Sequence, residues 1–108
     1  MKLSVLIPAY NEEETIEQII RSVAAVQLPV EVEILVHDDA STDRTPTILA
    51  ALRQEMPQLR VIRREQNGGK GVGIRTLIRE SRGDACIFQD ADEEYDPQDY
   101  RRLLDVYR

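Results

Sequence analysis

The feature that most constrains the fold is a regular alternation of short apolar runs with longer amphipathic stretches. Each apolar run is too short for a helix, whereas the stretches between them carry apolar residues at three- and four-residue spacing. The predicted strands are residues 3–7, 32–36, 59–62 and 85–88, and the predicted helices are residues 15–26, 46–56, 71–80 and 97–106. This βαβαβαβα order predicts an α/β fold with a mostly parallel four-stranded sheet and helices on both faces.

Length and composition limit the protein to one ordinary globular domain. The chain has 108 residues, of which 42% are hydrophobic and 31% charged, so disorder and fibrous classes are excluded. Its net charge of −6 argues against a nucleic-acid partner, because binding phosphates needs clustered basic residues.

We find no signal peptide and no membrane span, so a cytoplasmic location is expected. The lone Cys86 is predicted to be a buried strand residue without a disulfide.

The starts of the predicted helices carry capping residues. Asn11, with Glu14 three positions later, is expected to cap the first helix, and Ser41 or Thr42 is expected to cap the second. Asp96 followed by proline predicts the start of the fourth helix.

Polar residues follow every predicted strand, at residues 8–12, 37–41, 67–71 and 90–92. In open α/β sheets, ligands bind beyond the carboxyl ends of the strands, so these groups are expected to converge on one crevice. Taken singly, each group is ambiguous. Asp39 suits a turn as well as a ligand hydroxyl or base, and the glycine-rich loop suits a flexible turn as well as a phosphate.

Five acidic residues crowd the segment 90–96 directly behind the last apolar run. Like charges this close repel one another, so a bound cation would relieve the cluster. Asp90 and Asp92, separated by one residue, can reach one hard divalent cation that keeps waters for phosphate oxygens. The alternative is a solvated acidic turn.

Together these segments resemble the motifs of the family 2 glycosyltransferases with the GT-A fold. The motifs, in the order typical of that family, are PAYNE at residues 8–12, DDASTDRT at 38–45, NGGKG at 67–71 and DAD at 90–92. The run DADEEYDP looks most like the branch that includes dolichol-phosphate mannosyltransferases and polyprenyl-phosphate glycosyltransferases. The resemblance implies that residues 1–108 are one domain, the Rossmann-like GT-A half that binds a nucleotide-diphosphate sugar.

The resemblance also implies roles for individual residues. Pro8, Tyr10 and Glu12 would line the nucleotide pocket, Asp39 would read the base, and Lys70 would lie near the nucleotide or its diphosphate.

At the acidic motif, the resemblance implies that Asp90 contacts the ribose and that Asp90 and Asp92 hold Mg2+ or Mn2+. Glu94 matches the position that supplies a further metal ligand in the dolichol-phosphate branch. The metal would offset the charge that develops on the departing nucleoside diphosphate.

Three residues depart from the family pattern. Glu93 and His37 stand where apolar residues are usual, and Arg44 stands where glycine is common. No residue of the chain matches the catalytic base of the family, so the catalytic residue remains unassigned. The expected acceptor is a polyprenyl phosphate or a saccharide, and a full-length form could lie at the membrane surface.

Three other classes of protein fit part of this pattern. A nucleotide-binding or regulatory module without chemistry remains an alternative. A phosphoacceptor receiver domain is disfavoured because its acidic residues follow other strands, and a nucleotidyltransferase because its glycine-rich loop would follow the first strand. If the family's strand order holds, residues 85–88 form an apolar edge without Lys or Pro, which predicts a homo-oligomer through that edge.

Overall fold

A computed structural model of the chain describes residues 1–91, apart from the side chain of Lys70. The described elements, in chain order, are β1 (Lys2–Ala9), α1 (Ile16–Ala25), β2 (Glu31–Asp39), α2 (Thr45–Glu55), β3 (Leu59–Arg64), α3 (Lys70–Glu80) and β4 (Ala85–Phe88). All predicted strands and the first three predicted helices are confirmed. The fourth predicted helix, with its cap, lies outside the described residues.

The four strands form one parallel sheet in the order β3-β2-β1-β4. The central strand β1 pairs with β2 along its whole length, and Leu6 lies level with Leu35 on one side and Phe88 on the other. Because the strands are parallel, their carboxyl ends meet at one edge of the sheet. Within residues 1–91, no helix is long and apolar enough to cross a membrane.

One face of the sheet packs against α1 and α2 and forms the main hydrophobic core. Alternate residues of the strands point to this face, as the two-residue period of a strand requires. The fully buried side chains here include Val5, Ile7, Ile34 and Val36 from the two central strands, with Ile20 from α1.

The other face packs against α3 and holds a much smaller apolar cluster of Leu6, Leu35 and Leu77. Between these residues lie buried polar side chains. Ser4 and Glu33 are buried near the amino ends of the strands, and His37 and Asp39 are buried near the carboxyl ends.

Three sequence expectations are wrong. Helix α1 begins after Thr15, without a side-chain cap, because the Asn11 carboxamide bonds a neighbouring loop instead. Helix α2 begins after Arg44, so neither Ser41 nor Thr42 caps it.

Cys86 is the third correction, because its side chain is exposed. The residue lies level with Ser4 on the α3 side of the sheet, at the outer strand β4, and no described element covers it there. The apolar pattern identified the strand, but it could not show how much of each face of an outer strand is covered.

Candidate functional site

A cavity of about 290 Å³ opens at the carboxyl edge of the sheet. Its volume lies near the lower end of the roughly 300 to 1,000 Å³ that is usual for small-ligand pockets. The lining residues come from the segments that follow the strands and from the start of α3, namely Pro8, Ala9, Tyr10, Glu12, His37, Asp39, Asn67, Gly69, Gly73, Asp90 and Ala91. The convergence of the four polar segments predicted from the sequence is therefore confirmed.

The loops that follow β1 and β2 are held together by reciprocal hydrogen bonds. The Asn11 amide donates to the Ser41 hydroxyl at 2.9 Å, and the Thr42 amide donates back to the Asn11 side-chain oxygen at 2.8 Å. The Glu12 amide donates to the Thr45 hydroxyl at 2.9 Å. These bonds fix the backbone of the PAYNE segment, and with it the placement of Tyr10 at the cavity.

Asp43 extends this connection to the start of α2. Its carboxylate accepts hydrogen bonds from the Thr45 amide at 2.8 Å and from the Glu13 amide at 3.2 Å. Although burial acts in the opposite direction, the bonds from Thr45 and Glu13 lower the pKa of Asp43. Asp43 is therefore ionised at neutral pH, and its hydrogen bonds link the two loops.

Two residues in these loops adopt left-handed backbone conformations. Asn11 has a φ of 51° and Ala40 a φ of 61°. Asparagine tolerates this region, whereas an alanine there is uncommon and costs about 1–2 kcal/mol. Such strain recurs at functional sites, and here the hydrogen bonds between the loops maintain it.

The adjacent carboxylates Asp38 and Asp39 bond different parts of the structure. Asp38 is 1% exposed and pairs with the Arg63 guanidinium at 2.7 Å, while its other oxygen accepts the Ser41 amide at 3.1 Å. Asp38 therefore stabilises the turn after β2 and does not line the cavity.

Asp39 lies at the cavity and holds the glycine-rich loop. One carboxylate oxygen accepts the Gly68 amide at 2.9 Å, and the other accepts the Gly69 amide at 3.0 Å. Gly69 has a φ of 82°, which favours glycine, and it directly precedes α3. Each carboxylate oxygen has two lone pairs, so Asp39 retains capacity for a ligand donor while it fixes the loop.

The opposite wall of the cavity is the end of β4. The Gln89 amide donates to the Leu6 carbonyl at 2.9 Å and so continues the sheet by one residue. The Thr15 hydroxyl then donates to the Ala91 carbonyl at 2.7 Å, which ties this segment to the start of α1. Asp90 lies between these two anchored residues and lines the cavity.

The comparisons with known proteins identify the family. The sequence model of the family described as Glycosyl transferase family 2 matches residues 4–108. The chain belongs to glycosyltransferase family 2. The resemblance drawn from the four motifs is thus confirmed.

Three individual proteins show how the chain compares with its family. It is 32% identical to a dolichol-phosphate mannosyltransferase of Pyrococcus furiosus over 100% of this chain and 30% of that protein. The fold matches Staphylococcus aureus TarS 1–349 in complex with UDP-GlcNAc with a TM-score of 0.85 and 32% identity, over 97% of this chain and 30% of that one. It also matches the mannosyltransferase PcManGT of Pyrobaculum calidifontis in complex with GDP-Man and Mn2+, with a TM-score of 0.77 and 29% identity, over 83% and 27%.

These matches confirm the predicted fold, the Rossmann-like half of the GT-A glycosyltransferases. The chain spans between 27% and 30% of the length of these three proteins.

Among the residues to which the family resemblance assigned roles, Pro8, Tyr10, Glu12, Asp39 and Asp90 all line the cavity. The backbone of Lys70 begins α3 directly after Gly69, which also lines it. The proposed metal ligands Asp92 and Glu94 lie outside the described residues. Residues 1–91 contain no group of three or more His, Cys, Asp or Glu side chains that could hold a metal ion, and of the three predicted metal ligands only Asp90 lies among them, where it lines the cavity. That donor fits Mg2+ or Mn2+.

Sequence reasoning missed one residue of the cavity. His37 belongs to the polar segment 37–41 that was expected at the crevice, although no role was assigned to it, and it lines the cavity two positions before Asp39 on the same face of β2. Gly73 was placed only within the predicted helix 71–80, yet it also lines the cavity. The only signal for Gly73 was a glycine in a helix interior, where alanine would be more stable.

Proposed function

We propose that this chain forms the donor-binding part of a glycosyltransferase that transfers a sugar from a nucleoside-diphosphate sugar to a polyprenyl phosphate or a saccharide. The observation that carries the proposal is that segments from all four family motifs line one cavity. Membership of family 2 supports the transfer reaction, and the P. furiosus relative supports a lipid phosphate as one acceptor class.

The proposed arrangement follows the order of the strands. β4, with Asp90, lies on one side of β1, and β2, with Asp39, lies on the other. A donor nucleotide would therefore extend across the end of β1, with its diphosphate towards Asp90 and its base towards Asp39. Tyr10 lines the cavity between them and is 46% exposed, so its ring can stack against a base or ribose.

The divalent cation belongs to the diphosphate end of this arrangement. Asp90, with Asp92 and Glu94, would hold Mg2+ or Mn2+, and the bound cation would offset charge on the nucleoside diphosphate as it leaves. PcManGT, which was solved with GDP-Man and Mn2+, supports this choice of ions. Lys70, at the start of α3, would add a positive charge near the phosphates.

Calorimetric titration with UDP and GDP, each with and without Mg2+ or Mn2+, tests the proposal. We expect one of the two to bind only with metal, because a diphosphate without it would face bare carboxylates. Asp90→Asn should weaken the metal-dependent binding at least tenfold. The matched control is Asp84→Asn, which changes an exposed aspartate at the other end of β4.

Equal binding in the presence of EDTA would remove the metal from the proposal, and no binding of either nucleotide would overturn it. Asp39→Ala should weaken nucleotide binding and also release the amides of Gly68 and Gly69. Normal nucleotide binding by Asp39→Ala would reduce Asp39 to a turn residue.

An assay of sugar transfer separates the enzyme from a binding module without chemistry. Release of UDP or GDP from a nucleotide sugar in the presence of an acceptor identifies the enzyme. Metal-dependent nucleotide binding by a full-length form that transfers no sugar identifies the module. A cytoplasmic location, at the membrane surface in a full-length form, stays a prediction that cell fractionation can check.

A further inference from the structure

His37 occupies an unusual place for a polar residue. It lies in β2, is 2% exposed, and lines the cavity two positions before Asp39 on the same face of the strand.

The imidazole has unused hydrogen-bonding capacity. Among residues 1–91, His37 Nδ1 is the one buried side-chain nitrogen or oxygen that lacks a hydrogen-bond partner. Leaving such a group unsatisfied destabilises a protein, and buried polar groups without partners are rare in native proteins. Asp39 differs, because both of its oxygens already bond the glycine-rich loop.

Helix α3 leaves space beside the ring only because residue 73 is a glycine. A Cβ atom at Gly73 would lie 3.4 Å from His37 Cε1, an ordinary contact, and 3.0 Å from Nδ1, closer than most packed side chains approach, so the ring would have to shift by a few tenths of an ångström. Both Gly73 and His37 line the cavity, so the contact between them lies in its wall.

The imidazole ring of His37 is uncharged at neutral pH, which suits an uncharged ligand group. Burial lowers the pKa of His37, with the carboxylates of Asp39 and Asp38 acting in the opposite direction and Arg64 acting with burial. The net decrease keeps the imidazole neutral at pH 7, with one nitrogen as donor and the other as acceptor.

We propose that His37 is a nucleotide-binding residue that hydrogen-bonds the base of the donor nucleotide. The inference rests on the proposed function. The strand order favours the base over the diphosphate as the group that His37 contacts. His37 lies at the end of β2, and β1 separates it from Asp90, on the side proposed for the diphosphate. A neutral ring deep in the cavity also matches the donor and acceptor groups of a base better than it matches a phosphate.

Nuclear magnetic resonance of the unmodified protein gives a direct test, because His37 is the single histidine of the chain. We expect a ring 15N resonance to shift when the nucleotide that binds, UDP or GDP, saturates the protein with Mg2+. Pyrophosphate with Mg2+ should leave both ring nitrogens unchanged. Unchanged ring resonances at saturation with nucleotide would overturn the proposal.

A variant provides the second test. His37→Leu should raise the Kd for the nucleoside diphosphate about fivefold to tenfold, as expected for one lost hydrogen bond, and leave the Kd for pyrophosphate unchanged. His37→Asn, whose amide can replace Nδ1, should recover part of the affinity. Thr76→Val, on α3 but outside the cavity, is the control.

These outcomes distinguish a failure of the role of His37 from a failure of the proposed function. If the unmodified protein binds neither UDP nor GDP, the proposed function fails. If it binds one of them and His37→Leu binds it equally well, only the role of His37 fails. Should His37→Leu not fold, the ring resonances of the unmodified protein decide the question alone.

Discussion

The two faces of the sheet differ in what they bury. The face towards α1 and α2 holds an apolar core, whereas the face towards α3 buries polar side chains beside a small apolar cluster. On the second face, Glu33 accepts the Ser4 hydroxyl at 2.6 Å, the Arg82 amide at 2.6 Å and the Arg60 guanidinium at 3.2 Å. Polar groups at the amino ends of the strands are thus satisfied internally.

At the carboxyl ends of the same face, the polar groups are directed to the cavity. Asp39 holds the glycine-rich loop, and His37 Nδ1 has no partner among residues 1–91. One face therefore provides most of the stability by burying apolar area, while the other combines a structural polar network with the functional groups. Substitutions on the two faces should therefore affect different properties.

The largest effect should come from the apolar face. Ile34→Ala removes a fully buried side chain and should lower the free energy of unfolding by about 2–5 kcal/mol. The folded fraction should bind nucleotide normally, because Ile34 does not line the cavity. Urea denaturation measures the change, with Ile78→Ala on the half-exposed side of α3 as the control. Equal losses from both variants would contradict the difference between the faces.

The polar network of the second face should contribute less. Glu33→Gln should lower the free energy of unfolding by about 1–3 kcal/mol, because it leaves Arg60 without its buried partner. The control is Glu31→Gln, the same change two positions earlier in β2, where the side chain is 75% exposed and a change within about 0.5 kcal/mol is expected.

The effect of Glu33 should also depend on pH. Burial alone would raise the pKa of Glu33, but the bonds from Ser4, Arg82 and Arg60 outweigh it, and the pKa is lowered. A carboxylate with a lowered pKa in the folded state stabilises above its unfolded pKa, about 4.3 for glutamate, and loses that contribution as the pH falls through the folded value. Urea midpoints of the unmodified protein and Glu33→Gln should therefore converge from pH 7 towards pH 3, and a constant difference would contradict the assignment.

A pair of glycine substitutions in α3 tests the cavity on the second face. Gly73→Ala places a methyl group 3.0 Å from His37 Nδ1 and should weaken nucleotide binding roughly tenfold, the equivalent of about 1.4 kcal/mol. Gly71→Ala meets only the Arg75 side chain, at 3.7 Å. It should leave the affinity unchanged and stabilise the helix by up to about 1 kcal/mol. Equal affinities of the two variants in calorimetry would contradict the role of Gly73.

The sequence predicted the strands and the described helices well, because apolar periodicity records which residues face the core. It underestimated β2, which continues through Asp38 and Asp39 because they remain paired with β3 at Arg63 and Arg64. Charged residues at a strand end do not look like strand from the sequence. The register of the neighbouring strand is what keeps them extended.

The site was predicted as a set of segments but not as a set of contacts. Asn11 fits the pattern of a helix cap, yet its side chain bonds Thr42 across 31 positions of the chain. His37 was expected at the crevice as part of the segment 37–41, but its contact with the α3 wall at Gly73 was not. Such long-range contacts have no period in the sequence, so only the folded arrangement reveals them.

The smallest effect on stability should come from β4, where the second face reaches the edge of the sheet. Phe88 is 47% exposed, and β4 pairs only with β1 within residues 1–91. Phe88→Lys should change the free energy of unfolding by no more than about 0.5 kcal/mol.

An open apolar strand edge is a template for another chain, and lysine opposes such pairing. Light scattering after size-exclusion chromatography should show the unmodified chain associating at high micromolar concentration and Phe88→Lys shifting towards monomer, while Ile78→Lys on α3 should not. A monomeric unmodified chain under these conditions would contradict the predicted edge contact, and a large loss of stability in Phe88→Lys would mean that this side chain belongs to the core.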